Sequence, residues 1–242
     1  MAPKFEPLKK EPAYVKVYNA VEANILSGAI PEGAPLPTEV ELCEQFGITR
    51  ATVREGLRLL EQADLVQRGA GKRFYVKRPD AEDVATATSK SLALGGATFR
   101  EVWEALVVMY PPAVRLAANK FTAEDIEKLV DNHRAFDTID ADDTHAIVEG
   151  AVGFFQLIAG GLENRVLLAM LQSLNMMIRE SLNRVIIKTP KAKARILDAQ
   201  ARIIGAIEAG DENEAAEWIA RHIDDLKRGY DVANMDLENP IL

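Results

Sequence analysis

The feature that most constrains the fold is a short, glycine-containing turn between two predicted helices, Phe46-Gly47-Ile48-Thr49. Before this turn, Thr38-Glu39-Val40-Glu41 has the form of a capping box, in which the first and fourth side chains each bind the other residue's backbone N–H, so a helix begins there. After the turn, Thr49 can cap a second helix that runs to about Ala63 with apolar residues at helical spacing. Two short helices joined by such a turn are typical of a helix-turn-helix motif.

Two short β-prone runs follow the second helix. Leu65–Arg68 and Lys72–Val76 flank the glycine-rich tip Gly69-Ala70-Gly71, a pattern that predicts a hairpin. A hairpin behind a helix-turn-helix makes a winged arrangement. A further helix is predicted from Tyr14 to Leu26, and Pro79-Asp80 marks the boundary with the rest of the chain.

Beyond that boundary, residues 81–242 contain no convincing strand. Helices are predicted over 82–93, 98–118, 122–139, 142–160, 163–187, 191–209 and 211–229. Pro111-Pro112 lies inside an apolar helical pattern and predicts a kink or break there. The predicted fold is therefore mainly α: an N-terminal winged helix-turn-helix with a small β-hairpin wing, and a C-terminal antiparallel α-helical bundle.

This pattern predicts a division of the chain into five parts. We expect a flexible arm over 1–12, the winged helix-turn-helix over 13–78, a linker and linking helix over 79–97, a helical domain over 98–230 and a C-terminal tail over 231–242.

Charge divides the chain in the same way. Residues 1–78 hold 12 basic and 10 acidic residues, whereas the remainder holds 17 basic and 27 acidic residues, with a total net charge of -8. This asymmetry favours polyanion binding by the first part alone. The sequence has no stretch of ~18 apolar residues and no secretory signal pattern, and its lone Cys43 cannot form an internal disulfide. The expected location is therefore cytoplasmic, without a membrane partner.

The start of the second helix of the motif carries the chemistry for reading DNA. Arg50 and Arg54 are four residues apart and share one helix face. Arginine can donate two hydrogen bonds to guanine or bind phosphate, and Thr52 with free backbone N–H groups can bind phosphate oxygens. Lys72 and Arg73 at the hairpin tip can reach phosphates or the minor groove.

The segment Leu36–Val66 resembles the GntR family of bacterial transcriptional regulators. Leu36-Pro37-Thr38-Glu39, the run Thr49–Leu57 and the glycine-tipped wing match the family pattern, although many members have arginine at the position of Val40. The resemblance implies a homodimeric, ligand-responsive repressor that binds a pseudo-palindromic operator in double-stranded DNA. The expected DNA-contacting residues are Thr38, Thr49, Arg50, Thr52, Arg54, Gly71, Lys72 and Arg73.

The all-helical second part resembles the FadR-type members, whose helical domain is called FCD, through Phe155–Asn164, Gln200–Asp211 and Ala216–His222. Many FCD domains bind a divalent metal through one Asp and three His. The corresponding positions hold Val152, Gln156, Gln200 and His222 in this sequence. One imidazole and two amides make a poor transition-metal site, so we expect no metal and no cofactor.

The resemblance also places an effector pocket inside the bundle. Its expected contact residues are Leu106, Tyr110, Val152, Gln156, Met177, Arg179, Gln200 and His222, with Met176 and Arg184 as further candidates. Such a mostly apolar lining suits acyl-CoA or another largely apolar acid, whose carboxylate or phosphate would meet Arg179. His133 and His145 lie in polar surroundings, which favour surface positions.

Two other functional classes remain open as alternatives. A helical-bundle enzyme would need a nucleophile–base pair or a Glu-x-x-His pair, and the sequence contains no such pattern, so we expect no enzymatic activity. An architectural DNA-binding protein would bind many sequences alike and ignore metabolites. The effector response and salt dependence of DNA binding separate these alternatives from a regulator.

Overall fold

The chain separates into two compact units, Met1–Asp80 and Ala81–Leu242, in a computed structural model that describes residues 11–69, 71, 73–77, 80–189 and 191–241. Lys72 of the predicted wing tip and Pro79 of the predicted linker lie outside the described residues, as do the first ten residues of the predicted arm.

The first unit is a helix-turn-helix with a two-stranded wing. Its elements are α1 (Ala13–Leu26), α2 (Glu39–Phe46), α3 (Arg50–Gln62), β1 (Val66–Arg68) and β2 (Phe74–Val76). The two strands pair antiparallel, with Val66 opposite Val76. Gly47 ends α2 at φ +64, a left-handed conformation that glycine adopts without steric cost and that allows α3 to start three residues later.

The core of this unit depends on close packing of α1 against α3. Val17 and Val21 of α1 and Val53 and Leu57 of α3 are all buried. A Cβ atom on Gly56 would stand 2.8 Å from the Val17 Cβ and 3.0 Å from the Tyr14 carbonyl oxygen. The absence of a side chain at Gly56 is thus what allows the two helices to approach.

The second unit is built of helices. They are α4 (Ala81–Leu94), α5 (Phe99–Ala117), α6 (Ala123–Thr138), α7 (Thr144–Gly160), α8 (Arg165–Lys188), α9 (Ala192–Glu208) and α10 (Glu212–Val232). Helix α10 packs against α5 and α9, whereas α8 packs against α4 and α7. Thr98 and Thr122 each precede a helix and form a complete capping box with it. These caps bind the first backbone N–H groups of the helix, which have no partner within the helix. The mainly α prediction is confirmed.

Of the kink or break predicted at Pro111-Pro112, the break does not occur, because α5 continues through both prolines to Ala117. Each proline removes a backbone donor and costs about 3 kcal/mol or more in a helix interior. The neighbouring residues Tyr110, Ala113 and Val114 are buried in the core, and their packing holds the helix together.

The segment after α10 packs back onto the second unit. Helix α10 extends to Val232, and the segment after it returns to the start of α5. Ile241 is 2% exposed, and its backbone N–H donates to the Ala97 carbonyl at 2.9 Å. In the part of the chain that is described, no helix has both the length and the apolar character needed to span a bilayer.

Candidate functional site

A groove of about 380 Å³ opens on the first unit between the starts of α2 and α3 and the hairpin. Its walls are formed by Pro37, Thr38, Glu39, Val40, Arg50, Arg54, Leu57, Gly71, Arg73 and Phe74. The groove thus brings together Thr38, Arg50, Arg54, Gly71 and Arg73, which come from three separate stretches of sequence and were all expected to contact DNA.

Arg50 and Arg54 point outward from α3 beside one carboxylate. Their side chains are 61% and 63% exposed, and their Nε atoms lie 3.3 and 2.9 Å from Oε2 of Glu39. A guanidinium has five N–H donors, so each arginine keeps donors for a second acceptor. Glu39 therefore orients both arginines, a role that sequence reasoning missed although the residue directly follows the cap of α2.

The threonines of the site are engaged in capping. The Thr49 hydroxyl accepts from the Thr52 backbone N–H at 3.4 Å, and the two hydroxyl oxygens are 2.9 Å apart. The Thr38 hydroxyl donates to the Glu41 carboxylate at 2.8 Å. Its backbone N–H donates to the same carboxylate, and these bonds lower the pKa of Glu41. These contacts fix where α2 and α3 begin and so where the arginines project.

The remaining groove residues differ in character. Nε of Arg73 donates to the Leu36 carbonyl at 3.3 Å, which ties the wing to the start of α2. Val40 is 49% exposed and offers an apolar surface within the groove.

The interior of the second unit contains a short column of aromatic rings. The Tyr110 and Phe155 rings meet edge to face at 5.0 Å, and Phe155 stacks on His222 at 5.1 Å. The Tyr110 hydroxyl donates to Oδ1 of Asn175 at 2.8 Å. Burial raises the pKa of Tyr110 and lowers the pKa of His222 to about 4, with Asp225 partly opposing the shift of His222. Both side chains are therefore neutral at pH 7.

Several buried polar atoms of this interior have no hydrogen-bond partner within the described part of the chain. They are Nδ2 of Asn175, Nε2 of Gln200 and Nε2 of His222. Leaving such a group unpaired costs about 1–3 kcal/mol. The two amide nitrogens are donors suited to acceptor atoms of a ligand or of buried water, and Nε2 of His222 can donate or accept, depending on the tautomer of the neutral ring.

Two polar residues of this interior escaped the sequence reasoning. Asn175 is fully buried, and its signal was an amide within the apolar stretch of α8, three residues after Gln172. His133, expected at the surface, is half-buried and lies with Nδ1 3.3 Å from Oε1 of Gln200. That expectation is wrong because α6 packs against α9, which carries Gln200. His145 is exposed, as expected.

The other expected effector contacts fall in different environments. Leu106 and Val152 are completely buried, Met177 is 4% exposed and Gln156 is half-buried. Arg179 lies with Nη1 3.4 Å from the Glu149 carboxylate of α7. The Met176 sulfur accepts weak hydrogen bonds from the Thr86 and Ser89 hydroxyls, so this side chain faces α4.

The positions at which FCD domains carry metal ligands do not fit a transition metal here. Val152 has no donor atom, and Gln156 and Gln200 offer only amides beside His222. Throughout the described ranges, no three His, Cys, Asp or Glu side chains lie close enough together to hold a metal ion. The absence of a bound metal remains a prediction.

Comparisons with known proteins agree with this two-part organisation. Residues 13–76 match the family of bacterial regulatory proteins, gntR family, and residues 101–225 match the FCD domain. An uncharacterized HTH-type transcriptional regulator of Mycobacterium tuberculosis is 28% identical over 67% of this chain and 67% of its own length. The HTH-type transcriptional regulator LutR of Bacillus subtilis is 24% identical over 85% of this chain and 97% of its own length.

A solved structure supports the fold as well. The structure titled Streptococcus agalactiae GntR superposes with a TM-score of 0.63 and 21% sequence identity, covering 89% of this chain and 99% of that one.

Proposed function

This chain belongs to the GntR family of bacterial regulatory proteins and carries an FCD domain, and from that premise we propose that it is a FadR-type repressor. GntR regulators with FCD domains bind DNA and respond to small-molecule effectors.

The observation that carries the DNA-binding proposal is the groove at the start of α3. Arg50 and Arg54 are largely exposed there, while Val53 and Leu57 on the opposite face of α3 are buried. A helix start of this kind fits the major groove, where arginine pairs with guanine and backbone N–H groups meet phosphate. We assign direct base contact to Arg50 and Arg54.

The supporting contacts come from the rest of the groove. Thr38, Thr49 and Thr52, together with Gly71 and Arg73, are assigned to the phosphate backbone. Lys72, which lies outside the described residues, is assigned there as well. Phosphate contacts fix the register of the protein on the duplex and carry no base information.

We further assign a homodimer on a pseudo-palindromic operator. Two copies of one winged unit related by a two-fold axis match two half-sites of inverted sequence. We assign the protein as a repressor whose operator overlaps a promoter, so that its occupancy excludes polymerase until the ligand releases it.

The effector is assigned to the interior around Tyr110, Phe155 and His222. The residues packed there are largely apolar, and Asn175, Gln200 and His222 each have a buried nitrogen, without a partner among the described residues, that can bind a polar atom of a ligand. A largely apolar carboxylic acid or its CoA thioester matches this chemistry. Because the family metal positions lack a fitting donor set, the ligand is held without a metal ion.

Coupling between the two functions is assigned to the segment 79–97. A ligand changes operator affinity only as far as it binds one arrangement of the wings better than another.

The test is an operator selected from a random duplex pool, followed by mobility shift at fixed salt. We expect tight binding to an inverted repeat, competition by unrelated DNA only at large excess, and release by acyl-CoAs or apolar acids. Equal binding to all duplexes would contradict the proposal. Release that requires added zinc and is reversed by a chelator would contradict the metal-free pocket.

A further inference from the structure

Two cavities of the second unit meet at one ion pair. A narrow apolar cleft of about 40 Å³ lies between α8, α9 and α10. A groove of about 310 Å³ runs along α9 and α10. Arg195, His222 and Asp225 line both of them. The Arg195–Asp225 ion pair therefore stands between the groove and the cleft, and His222 forms part of both walls.

The groove is basic within an acidic unit. Lys191, Arg195, Arg221 and Arg228 line it, opposed by Asp198 and Asp225, whereas residues 79–242 as a whole hold 17 basic and 27 acidic residues. A local excess of cations in a unit of negative charge attracts anions to this groove.

Asp225 cannot satisfy the arginines around it. It pairs with Arg195 and also with Arg228, whose Nη1 lies 3.3 Å from the same Oδ1. Each guanidinium has five donors in a planar fork, so most N–H groups of this pair remain available. Such forks bind carboxylate and phosphate oxygens in pairs.

The cleft behind the ion pair is apolar but contains two unsatisfied polar atoms. Leu182, Ile196 and Leu226 contribute to its wall. Thr189 and His222 line it as well, and Oγ1 of Thr189 and Nε2 of His222 are buried without a partner among the described residues. The volume admits a short aliphatic group and excludes a long chain.

We propose that the groove and cleft form one site for a small amphipathic anion, a carboxylate or phosphate ester on a short aliphatic chain. The anionic group binds Arg195, Arg228 and Arg221. The aliphatic end enters the cleft toward His222 when Arg195 exchanges Asp225 for the ligand. Since Phe155 stacks on His222, occupancy of the cleft reaches the ring column of the interior.

This inference rests on the proposed function, because it makes the α9–α10 groove the place where the effector's charged end is recognised. It adds residues that sequence reasoning did not select. Apart from His222, neither cavity is lined by the expected effector contacts.

Titration calorimetry at pH 7.5 with the full chain tests the proposal. Valerate is the probe, acetate lacks its chain, inorganic phosphate carries charge alone and pentylamine inverts the charge. We expect valerate to bind, acetate and phosphate to bind at least about tenfold more weakly, and pentylamine not to bind. Failure of valerate to bind, or equal binding of pentylamine, overturns the proposal.

Three substitutions locate the site by the sign of their effects. Arg195→Gln should weaken valerate about tenfold or more, and Asp225→Asn should tighten it several-fold by freeing Arg195 and Arg228. A merely structural ion pair would make both variants weaker. Arg134→Gln, on α6 where Arg134 is 75% exposed and paired with Asp131, is the control and should leave the affinity unchanged.

Fluorescence gives an independent readout. The chain has two tryptophans, and Trp218 lines the groove with Arg221 4.9 Å from its ring. In Trp103→Phe, valerate should shift the emission of Trp218 with the calorimetric affinity, and an unchanged spectrum contradicts binding in the groove. If the ligand concentration that releases the operator is the same in the parent, Arg195→Gln and Asp225→Asn, this inference is wrong and the proposed function still stands. If valerate binds but the protein binds no operator, the anion site stands and the proposed function is wrong.

Discussion

The two candidate sites differ in how their polar groups are arranged. On the first unit, the arginines of α3 project outward beside Glu39 and keep free donors at the surface. Inside the second unit, Asn175, Gln200 and His222 are buried, and each has a nitrogen without a partner among the described residues. The proposed DNA-binding groove therefore has its arginines in place at the surface without a partner, whereas the interior nitrogens gain hydrogen bonds only when a ligand or water supplies the partner atoms.

The largest effect is expected from a substitution that disrupts the first unit and leaves the second unit folded. Gly56→Ala should abolish operator binding, because the new Cβ would meet the Val17 Cβ at 2.8 Å and the Tyr14 carbonyl at 3.0 Å. Overpacking of this kind costs about 1–3 kcal/mol or more. Both tryptophans lie in the second unit, so circular dichroism should show early helix loss while the tryptophan unfolding midpoint stays constant.

The matched control for that change is Gly205→Ala in α9. A Cβ at Gly205 meets nothing within 4 Å, and alanine favours a helix by about 1 kcal/mol over glycine. This variant should keep full operator binding and a tryptophan midpoint at or above that of the parent. A joint shift of both signals in Gly56→Ala would instead mean that the two units unfold together.

Arg54→Ala should weaken operator binding about 10- to 100-fold, because one bidentate contact to guanine is worth about 1–3 kcal/mol. Binding to unrelated DNA should fall much less. Arg134→Ala is the control, since Arg134 is 75% exposed and paired with Asp131 in the other unit. Fluorescence anisotropy at one salt concentration measures the affinity for operator and for unrelated DNA. Equal losses of affinity for the two would mean that Arg54 binds phosphate and not a base.

His222 should make the second unit sensitive to acid. Its pKa is lowered to about 4 by burial, so between pH 6.5 and 4 the unfolded chain binds a proton that the folded chain excludes. The contribution of His222 to the free energy of unfolding is therefore constant above pH 6.5. It falls by about 1.4 kcal/mol per pH unit as the pH drops from 6.5 to 4. Urea unfolding followed by tryptophan fluorescence should show a loss between pH 7 and 5 that is smaller by about 2 kcal/mol in His222→Gln. Parallel pH profiles for the two proteins would mean that His222 titrates normally.

The smallest expected effect concerns the bond between Tyr110 and Asn175. Tyr110→Phe removes a buried hydroxyl and should cost about 1 kcal/mol of unfolding free energy. Asn175→Ala should cost more, because the Tyr110 hydroxyl keeps only its longer 3.3 Å bond to the Phe155 carbonyl. A double-mutant cycle isolates the pair, and additive losses would show that the 2.8 Å bond contributes nothing.

The first unit was readable from sequence because its signals are local. A capping box, a glycine in the turn and arginines four residues apart all act within a few residues of each other. The position of Glu39 between Arg50 and Arg54 was not readable, because it depends on how α2 and α3 cross.

The second unit was readable in its helices and much less so in its interior. Helix positions follow from caps and periodicity, but Asn175, His133 and Phe155 acquire their roles through packing between distant helices. At Pro111 and Pro112, the local sequence signal for a helix break is strong, but the burial of the neighbouring residues outweighs it and the helix continues.

The most direct test of the account is to compare base preferences of the parent protein and Arg54→Ala by sequencing duplexes selected from a random pool. We expect an inverted repeat for the parent and, for Arg54→Ala, loss of discrimination at one guanine in each half-site with the other positions retained. Identical preferences at every position would contradict the claim that the exposed arginines of α3 read the bases.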